Sequence, residues 1–295
     1  MLAYVTGSLG FVGRWLCQHL AACGDEVVGV DADVDVTDPE AVRESMVALS
    51  PEVVYHLAGL AHVGRSWEDP FPTFTVNALG TLSVLEAAAR CSPMPKVIVV
   101  SSAEVYGAAG SEPVTEEAPL RPLSPYAASK AAAEICALEE HLGRGLPVVT
   151  ARPFNHVGPG QSPDFVVAAL ARRIVEAERK GWAEIPVGNL DAERDFTDVR
   201  DVVRAYRLLA EHGRPGEPYN VASGRSVAIS YVAERLAELA LHPVKLVRDP
   251  TLVRPVEVPV LLGDASKLAA ATGWQPLIPL EATLTDVLEY WRARD

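Results

Sequence analysis

The chain has 295 residues, enough for one large domain or two smaller domains with a sizeable buried core. Its net charge of −13 argues against a nucleic-acid partner, because phosphate backbones are bound by clustered lysine and arginine. Apolar residues make up 49% of the chain, but no uninterrupted apolar run reaches the roughly 18 residues that a membrane span needs. We therefore expect no nucleic-acid partner, no membrane partner and a cytoplasmic location.

The amino terminus has the pattern of a strand, a glycine-rich turn and a helix. Residues 1–6 are apolar enough for a short buried strand, and a helix is predicted over residues 11–22. Gly7 and Gly10 stand between the predicted strand and helix, and Gly13 stands in the first turn of the helix. Glycines at these positions let the backbone bend sharply and approach a pyrophosphate. The N–H groups at the start of the helix would point at the phosphates. This order of elements predicts a dinucleotide-binding turn.

Asp31 follows a second predicted strand over residues 26–30. It lies about 20 residues beyond the glycine turn, where a carboxylate binds the adenosine ribose hydroxyls in dinucleotide-binding folds. Its negative charge would repel a 2′-phosphate, and no arginine follows directly, so the pattern favours NAD(H) and leaves NADP(H) as the second possibility. The alternative is a solvated strand-end carboxylate, because Asp33 and Asp35 stand nearby.

Tyr126 and Lys130 stand four residues apart in an alanine-rich stretch that favours helix, so their side chains share one helical face. A cation beside a phenol stabilises the phenolate and lowers the pKa of the phenol. We therefore expect Lys130 to lower the pKa of Tyr126 and to make this tyrosine a proton donor and acceptor. The alternative is a surface pair without chemistry, in which the lysine extends along the helix towards solvent.

Short apolar strands alternate with alanine-rich helices as far as Arg152, a pattern typical of a parallel sheet covered on both faces. With the glycine turn and the Tyr126–Lys130 pair in place, nearly the whole chain resembles the nucleotide-sugar branch of the extended short-chain dehydrogenase/reductase family. The resemblance implies an α/β Rossmann fold, a doubly wound parallel sheet with a smaller, interleaved carboxy-terminal lobe that binds substrate. The expected division is 1–155 and 193–222 for the dinucleotide-binding domain, and 156–192 and 223–295 for the nucleotide-sugar lobe.

In this family a serine or threonine after the fourth strand completes the catalytic set, and Ser102 matches it. The resemblance implies that Ser102 hydrogen-bonds the reacting substrate oxygen and that Lys130 also holds the nicotinamide ribose. Asn77 would brace the helix that carries Tyr126. The catalytic residues expected from the resemblance are Ser102, Tyr126, Lys130 and Glu104. The expected cofactor residues are Gly7, Leu9, Gly10, Phe11, Val12, Gly13, Asp31, Asp35, Val36, Leu57, Ala58, Gly59, Asn77, Tyr126, Lys130 and Pro153.

Closer agreement lies with the GDP-mannose 4,6-dehydratases and the GDP-4-keto-6-deoxymannose reductases, in stretches such as 154–161, 188–191 and 254–259. This resemblance implies a substrate site made of Ser102, Asn155, Arg194, Arg254 and Glu257. The arginines would bind the diphosphate, since planar guanidinium groups match phosphate oxygens in a bidentate way. Glu257 would contact the base or the ribose. For each arginine, the alternative is a surface ion pair.

Two departures from the dehydratase pattern favour a reductase. Dehydratases of this branch follow the serine or threonine with a polar residue and a glutamate, and here Ala103 replaces the first while Glu104 remains. The chain is also shorter than the usual GDP-mannose dehydratase. We predict NAD(P)H-dependent reduction of the C4 keto group of a GDP-4-keto-6-deoxyhexose, giving GDP-rhamnose or a C4 epimer. The alternatives are a GDP-mannose 4,6-dehydratase, an NAD-dependent nucleotide-sugar 4-epimerase and a non-catalytic cofactor-sensing protein.

The four cysteines lack the paired spacing of a zinc site, so we expect reduced thiols and no metal. Residues 81–90 and 131–138 are small and apolar enough to pack closely against helices of a second subunit, as in the family. We therefore expect a homodimer. The alternative is that these residues pack only against their own sheet.

Overall fold

The structure is a computed structural model that describes residues 1–252 and 258–294. Its strands, in chain order, are β1 (Leu2–Thr6), β2 (Glu26–Val30), β3 (Val53–His56), β4 (Lys96–Val100), β5 (Val148–Pro153), β6 (Asn155–Val157), β7 (Glu184–Val187), β8 (Glu193–Asp198), β9 (Pro218–Val221), β10 (Ser226–Ala228), β11 (Lys245–Arg248) and β12 (Val260–Leu261). Its α-helices are α1 (Phe11–Ala22), α2 (Pro39–Leu49), α3 (Val63–Glu68), α4 (Pro70–Phe74), α5 (Gly80–Ala88), α6 (Pro125–Arg144), α7 (Val166–Lys180), α8 (Val199–His212), α9 (Ile229–Glu238), α10 (Ser266–Thr272) and α11 (Leu280–Arg292). Shorter turns are a π-helical turn at Thr75–Leu79 and 3₁₀ turns at Ala103–Tyr106 and Pro250–Leu252.

The main sheet consists of six parallel strands in the order β2-β1-β3-β4-β5-β9. Successive side chains of a strand point to opposite faces, so both faces of the sheet carry apolar residues. Ala3 and Val5 pack with residues of α1 and α8 on one face, whereas Tyr4 packs with residues of α2, α5 and α6 on the other. The predicted doubly wound α/β fold is confirmed.

Helix α6, which carries Tyr126 and Lys130, has clear start and stop signals. The hydroxyl oxygen of Ser124 accepts a hydrogen bond from the backbone N–H of Ala127, and Pro125 occupies the first helical position. The helix ends at Gly145, which adopts the left-handed conformation with φ of 75°. The cap at Ser124 stabilises the first turn of the helix, which contains Tyr126.

The second lobe has its own small sheets and its own core. Strand β8 pairs with β6, β10 and β12, and β11 pairs with β7. Helices α7, α9 and α11 supply most of the buried residues of this core. Within the segment 193–222, α8 and β9 pack in the main sheet and its core, while β8 lies in the small sheet. The domain boundaries stay a prediction.

Three further properties concern the described residues alone. None of the helices in the described ranges combines the length and the apolar character that crossing a membrane requires. Those ranges also hold no group of three or more His, Cys, Asp or Glu arranged to bind a metal ion. All four cysteines are free thiols.

Candidate active site

Ser102, Tyr126 and Lys130 meet in one cavity at the carboxyl ends of the main-sheet strands. Ser102 lies just beyond β4, where its hydroxyl oxygen accepts a hydrogen bond of 3.2 Å from the backbone N–H of Glu104. Ser102 also hydrogen-bonds the phenol of Tyr126. The ammonium of Lys130 donates to the carbonyl of Val100 at 2.8 Å. All three side chains line a cavity of about 270 Å³.

The pKa of Tyr126 differs from the sequence-based expectation. Burial raises the pKa of Tyr126 to about 12, the hydrogen bond with Ser102 opposes this, and the charge of Glu104 raises the pKa further. Within the part of the chain that the structure describes, Lys130 is not among the groups that shift it. Burial also lowers the pKa of Lys130 to about 8, and its ammonium is engaged by a backbone carbonyl. Tyr126 is therefore a protonated acid at neutral pH.

The glycine turn between β1 and α1 is packed so closely that side chains would not fit. Gly7 has φ of +68°, and a Cβ there would lie 2.8 Å from the backbone nitrogen of Ala58. A Cβ on Gly13 would lie 2.1 Å from the carbonyl oxygen of Gly7. Among the described residues, none provides a side-chain cap for the start of α1, which borders the same cavity. Its first N–H groups thus face space suited to a phosphate.

Asp31 lies at the edge of this turn. Its Oδ2 accepts a hydrogen bond of 3.0 Å from the backbone N–H of Leu9, and its own N–H donates to Asp33. The carboxylate is thereby fixed beside the glycine turn, where a ribose would follow the pyrophosphate. It is half-buried, so it remains accessible from the surface.

Most of the predicted cofactor residues line the cavity, and six do not. Those in the lining are Gly7, Gly10, Phe11, Val12, Gly13, Leu57, Gly59, Tyr126, Lys130 and Pro153. Those outside it are Leu9, Asp31, Asp35, Val36, Ala58 and Asn77. Asn77 is fully buried, and its Nδ2 donates to the hydroxyl of Ser129 on α6 at 2.9 Å. It therefore braces the helix that carries Tyr126.

A second cavity of about 360 Å³ continues from the first into the second lobe. Glu104 and Asn155 border both cavities, and Arg194 borders the second. The Oδ1 of Asn155 is buried, and no described residue provides it with a hydrogen-bond partner. An acceptor in that position suits a ligand with hydroxyl groups. Arg254 and Glu257, the other predicted substrate residues, lie outside the described residues.

Two polar cavity residues, one on α8 and one on α7, escaped the sequence analysis. Tyr206 on α8 reaches the first cavity, and Arg173 on α7 reaches the second. Both stand on amphipathic helices whose spacing indicates packing alone. His156 lines both cavities and stacks on Phe11 with ring centroids 6.1 Å apart. Its place next to Asn155 in the sequence makes it a candidate substrate contact.

The first cavity fits a dinucleotide, because it is bordered by the closely packed glycine turn and by the start of α1, which no described side chain caps. Residues 32–287 match the family model described as GDP-mannose 4,6 dehydratase. The GDP-6-deoxy-D-mannose reductase of Pseudomonas aeruginosa is 38% identical over 99% of this chain and 97% of its own length. The GDP-6-deoxy-D-talose 4-dehydrogenase of Aggregatibacter actinomycetemcomitans is 30% identical over 92% of each chain.

Among solved structures, that of RMD from Pseudomonas aeruginosa complexed with NADPH is 36% identical to this chain. The match covers 100% of both chains with a TM-score of 0.92. Agreement of this extent in sequence and in fold confirms the resemblance read from the motifs. The chain belongs to the GDP-mannose 4,6 dehydratase family, within the extended short-chain dehydrogenases/reductases.

Proposed function

We propose that the chain is an enzyme that reduces the C4 keto group of a GDP-4-keto-6-deoxyhexose with NAD(P)H. The observation that carries the proposal is the meeting of Ser102, Tyr126 and Lys130 in a cavity between the glycine turn and a second, polar cavity. The relative named GDP-6-deoxy-D-mannose reductase supports the substrate class. The product would be GDP-rhamnose or its C4 epimer.

The residues of the chain take separate parts in the proposed reaction. The nicotinamide cofactor, when bound, supplies hydride. Tyr126 donates its proton to the oxygen that forms at C4, and Ser102 donates a second hydrogen bond to that oxygen. The glycine turn would hold the pyrophosphate, Asp31 the adenosine ribose and Lys130 the nicotinamide ribose. A phenol that stays protonated at neutral pH suits this proton-donating part.

The second cavity would hold the nucleotide sugar. Asn155 and Arg194 border it, and the backbone carbonyl of Glu193 accepts a hydrogen bond of 2.8 Å from the Arg194 guanidinium. A guanidinium at the border of this cavity is suited to binding phosphate oxygens. Diphosphate binding by Arg254, and base or ribose contact by Glu257, remain predictions from the sequence.

The deciding experiment follows nicotinamide absorbance while the purified protein is incubated with a panel of keto-deoxy sugar nucleotides. Stoichiometric oxidation of NADH or NADPH by the GDP-linked keto sugar is expected. Conversion of GDP-mannose without added reductant would instead indicate a dehydratase. Ala103, a buried methyl where dehydratases carry a polar residue, makes that outcome unexpected. Tightly copurified NAD with sugar epimerisation would indicate an epimerase, and cofactor binding without any turnover would indicate a sensor.

Replacement of Asp31 by asparagine is expected to shift cofactor preference towards NADPH. The carboxylate beside the turn repels a 2′-phosphate, and losing about 1.4 kcal/mol of repulsion corresponds to about tenfold. The measurement is the ratio of kcat/KM for NADPH to that for NADH in Asp31→Asn. Glu44→Gln, which removes an exposed carboxylate from α2, is the control and should keep the wild-type ratio. An unchanged ratio in Asp31→Asn would remove Asp31 from the ribose site.

We also propose a homodimer, on the basis of an exposed apolar face of α6. Ile135, Leu138 and Leu142 are 60%, 42% and 75% exposed, and their spacing places them on one side of the helix. Helix α5 contributes less exposed apolar surface to the proposed interface than expected, because most of its side chains are buried against their own subunit. An apolar face of this kind on a soluble enzyme is typical of a subunit interface.

Ile135→Glu is expected to convert the protein to a monomer, because two like charges would be buried at a symmetric contact. Sedimentation velocity at micromolar concentration measures the change. Leu241→Glu places the same charge on a more exposed side chain, 77% accessible, that lies outside α6, and this variant should stay dimeric. A wild-type protein that sediments as a monomer would exclude the dimer.

The proposed location is the cytoplasm. Four free cysteines suit a reducing compartment, since thiols there stay unpaired. Fractionation of cells that express the chain, with activity assayed in each fraction, tests this location.

A further inference from the structure

A buried ion pair lies beneath the catalytic residues. Glu134 stands on α6, one turn after Lys130, and Arg152 stands on β5. The guanidinium donates to the Glu134 carboxylate through Nε at 3.0 Å and through Nη2 at 2.6 Å. Glu134 and Arg152 are only 7% and 6% exposed. Burial of two charged groups has a large desolvation cost, so the position of this pair close to Lys130 in the sequence of α6 and on β5 points to a specific role.

Neighbouring hydrogen bonds hold the Glu134 carboxylate in a fixed place. The hydroxyl of Ser101, next to Ser102, donates to Glu134. Arg152 also donates to the phenol of Tyr106 at 2.9 Å, and that phenol donates to Asn220 at 2.7 Å. The carboxylate therefore cannot rotate away from Lys130 without breaking several buried bonds.

The surroundings of Lys130 contain few charges. On its own helix, the Glu134 carboxylate opposes the effect of burial on the pKa of Lys130. Arg152 on β5 is paired with Glu134, and it is not among the described groups that shift the pKa of Lys130. In the described part of the chain, other polar groups near Lys130 or Tyr126 are neutral His56 on β3, the carbonyl of Val100 on β4, Glu104 and Asn77.

We propose that Glu134 is a positioning residue whose fixed carboxylate keeps Lys130 protonated beside the bound cofactor. Glu134 and Lys130 are four positions apart on α6 and share one helical face. An anion one helical turn away favours the charged form of an amine. Arg152 and Ser101 act on Glu134, since their hydrogen bonds hold its carboxylate in place. Only the kinetic consequence of this role of Glu134 depends on the proposed reduction of a keto sugar.

The direct test measures protonation of Lys130 without substrate or cofactor. Only the neutral amine reacts with formaldehyde and a borane reductant, and the chain has five lysines, which peptide mass spectrometry can distinguish. The extent of methylation of Lys130 is recorded against pH in the folded protein. In Glu134→Gln, the midpoint is expected about one pH unit lower, because losing a nearby opposite charge shifts a pKa by this order. Glu139→Gln, an exposed carboxylate on the same helix, is the matched control and should keep the wild-type midpoint.

Glu134→Gln leaves the Arg152 guanidinium buried without a counter-charge, so a second variant keeps the test decisive. Glu134→Gln with Arg152→Met removes both charges, a replacement that proteins commonly tolerate. It should show the same lowered midpoint as the single variant. A midpoint equal to that of wild type and of Glu139→Gln, in either folded variant, would overturn the proposal.

The kinetic consequence appears in the pH profile of keto-sugar reduction. In Glu134→Gln, Lys130 would lose its proton at lower pH, so the alkaline limb of the kcat profile should move to lower pH by the same shift. KM for the sugar should stay within about twofold of the wild-type value. A general structural defect would lower kcat at every pH without moving the limb. If wild type shows no turnover, the proposed reduction fails, while the methylation midpoint still tests Glu134.

Discussion

Tyr126→Phe is expected to lower turnover at least about 100-fold, the usual scale for losing a positioned acid. The phenol is the proton donor that the cavity presents beside Ser102, and phenylalanine keeps its ring without its hydroxyl. The measurement is kcat for oxidation of NADH or NADPH by the keto sugar nucleotide. Cofactor affinity, measured by calorimetry, should stay near wild type because the ring still fills its place.

Tyr231→Phe is the matched control for this variant. Its hydroxyl donates to the exposed Glu281 carboxylate, and neither residue lines either cavity, so loss of that hydroxyl should leave kcat unchanged. Turnover of Tyr126→Phe close to that of the control would mean that another group donates the proton. In that case Glu104, which borders both cavities, would be the next residue to replace.

Gly13→Ala is expected to weaken cofactor binding more than about tenfold, which corresponds to about 1.4 kcal/mol. A methyl group there would lie 2.1 Å from the carbonyl oxygen of Gly7 and 2.8 Å from the Cα of Ser8. Both contacts are backbone atoms, so the clash is relieved only by moving the turn that faces the cavity. The measurement is the Kd for NADH and NADPH by isothermal titration calorimetry.

Gly143→Ala, also a helical glycine, provides the control. A Cβ there meets only the mobile end of the exposed Glu139 side chain, so cofactor affinity should not change. Alanine also favours helix over glycine by about 1 kcal/mol, so this variant should be as stable as wild type or more stable. Wild-type Kd in Gly13→Ala would exclude the glycine turn as the pyrophosphate site.

Local patterns were sufficient to predict the fold class and to identify Ser102, Tyr126 and Lys130, which the structure brings together in one cavity. The predicted helix over residues 11–22 has the same bounds as α1, and the predicted strand over residues 26–30 has the same bounds as β2. Apolar runs set the strands, glycines mark the turn, and the four-residue spacing places Tyr126 and Lys130 on one face of a helix. Each of these signals lies within a short stretch of chain, so it can be recognised from the sequence alone.

Other properties arise between segments that are distant in the chain. The effect of Lys130 on the pKa of Tyr126 was wrongly predicted, because helical spacing says nothing about burial, and burial dominates both pKa values. The two cavities combine residues from helices and strands of both parts of the structure, including Tyr206 in the first cavity and Arg173 in the second.

The sequence by itself determined which residue types carry the chemistry, since the alternation of strands and helices and the Tyr126–Lys130 spacing are local properties. Only the tertiary structure decided the electrostatic state of these groups. Glu134 and Arg152 come together from α6 and β5, and desolvation depends on everything packed around a side chain. Long-range packing therefore sets the protonation of Tyr126 and Lys130, which no pattern of neighbouring residues encodes.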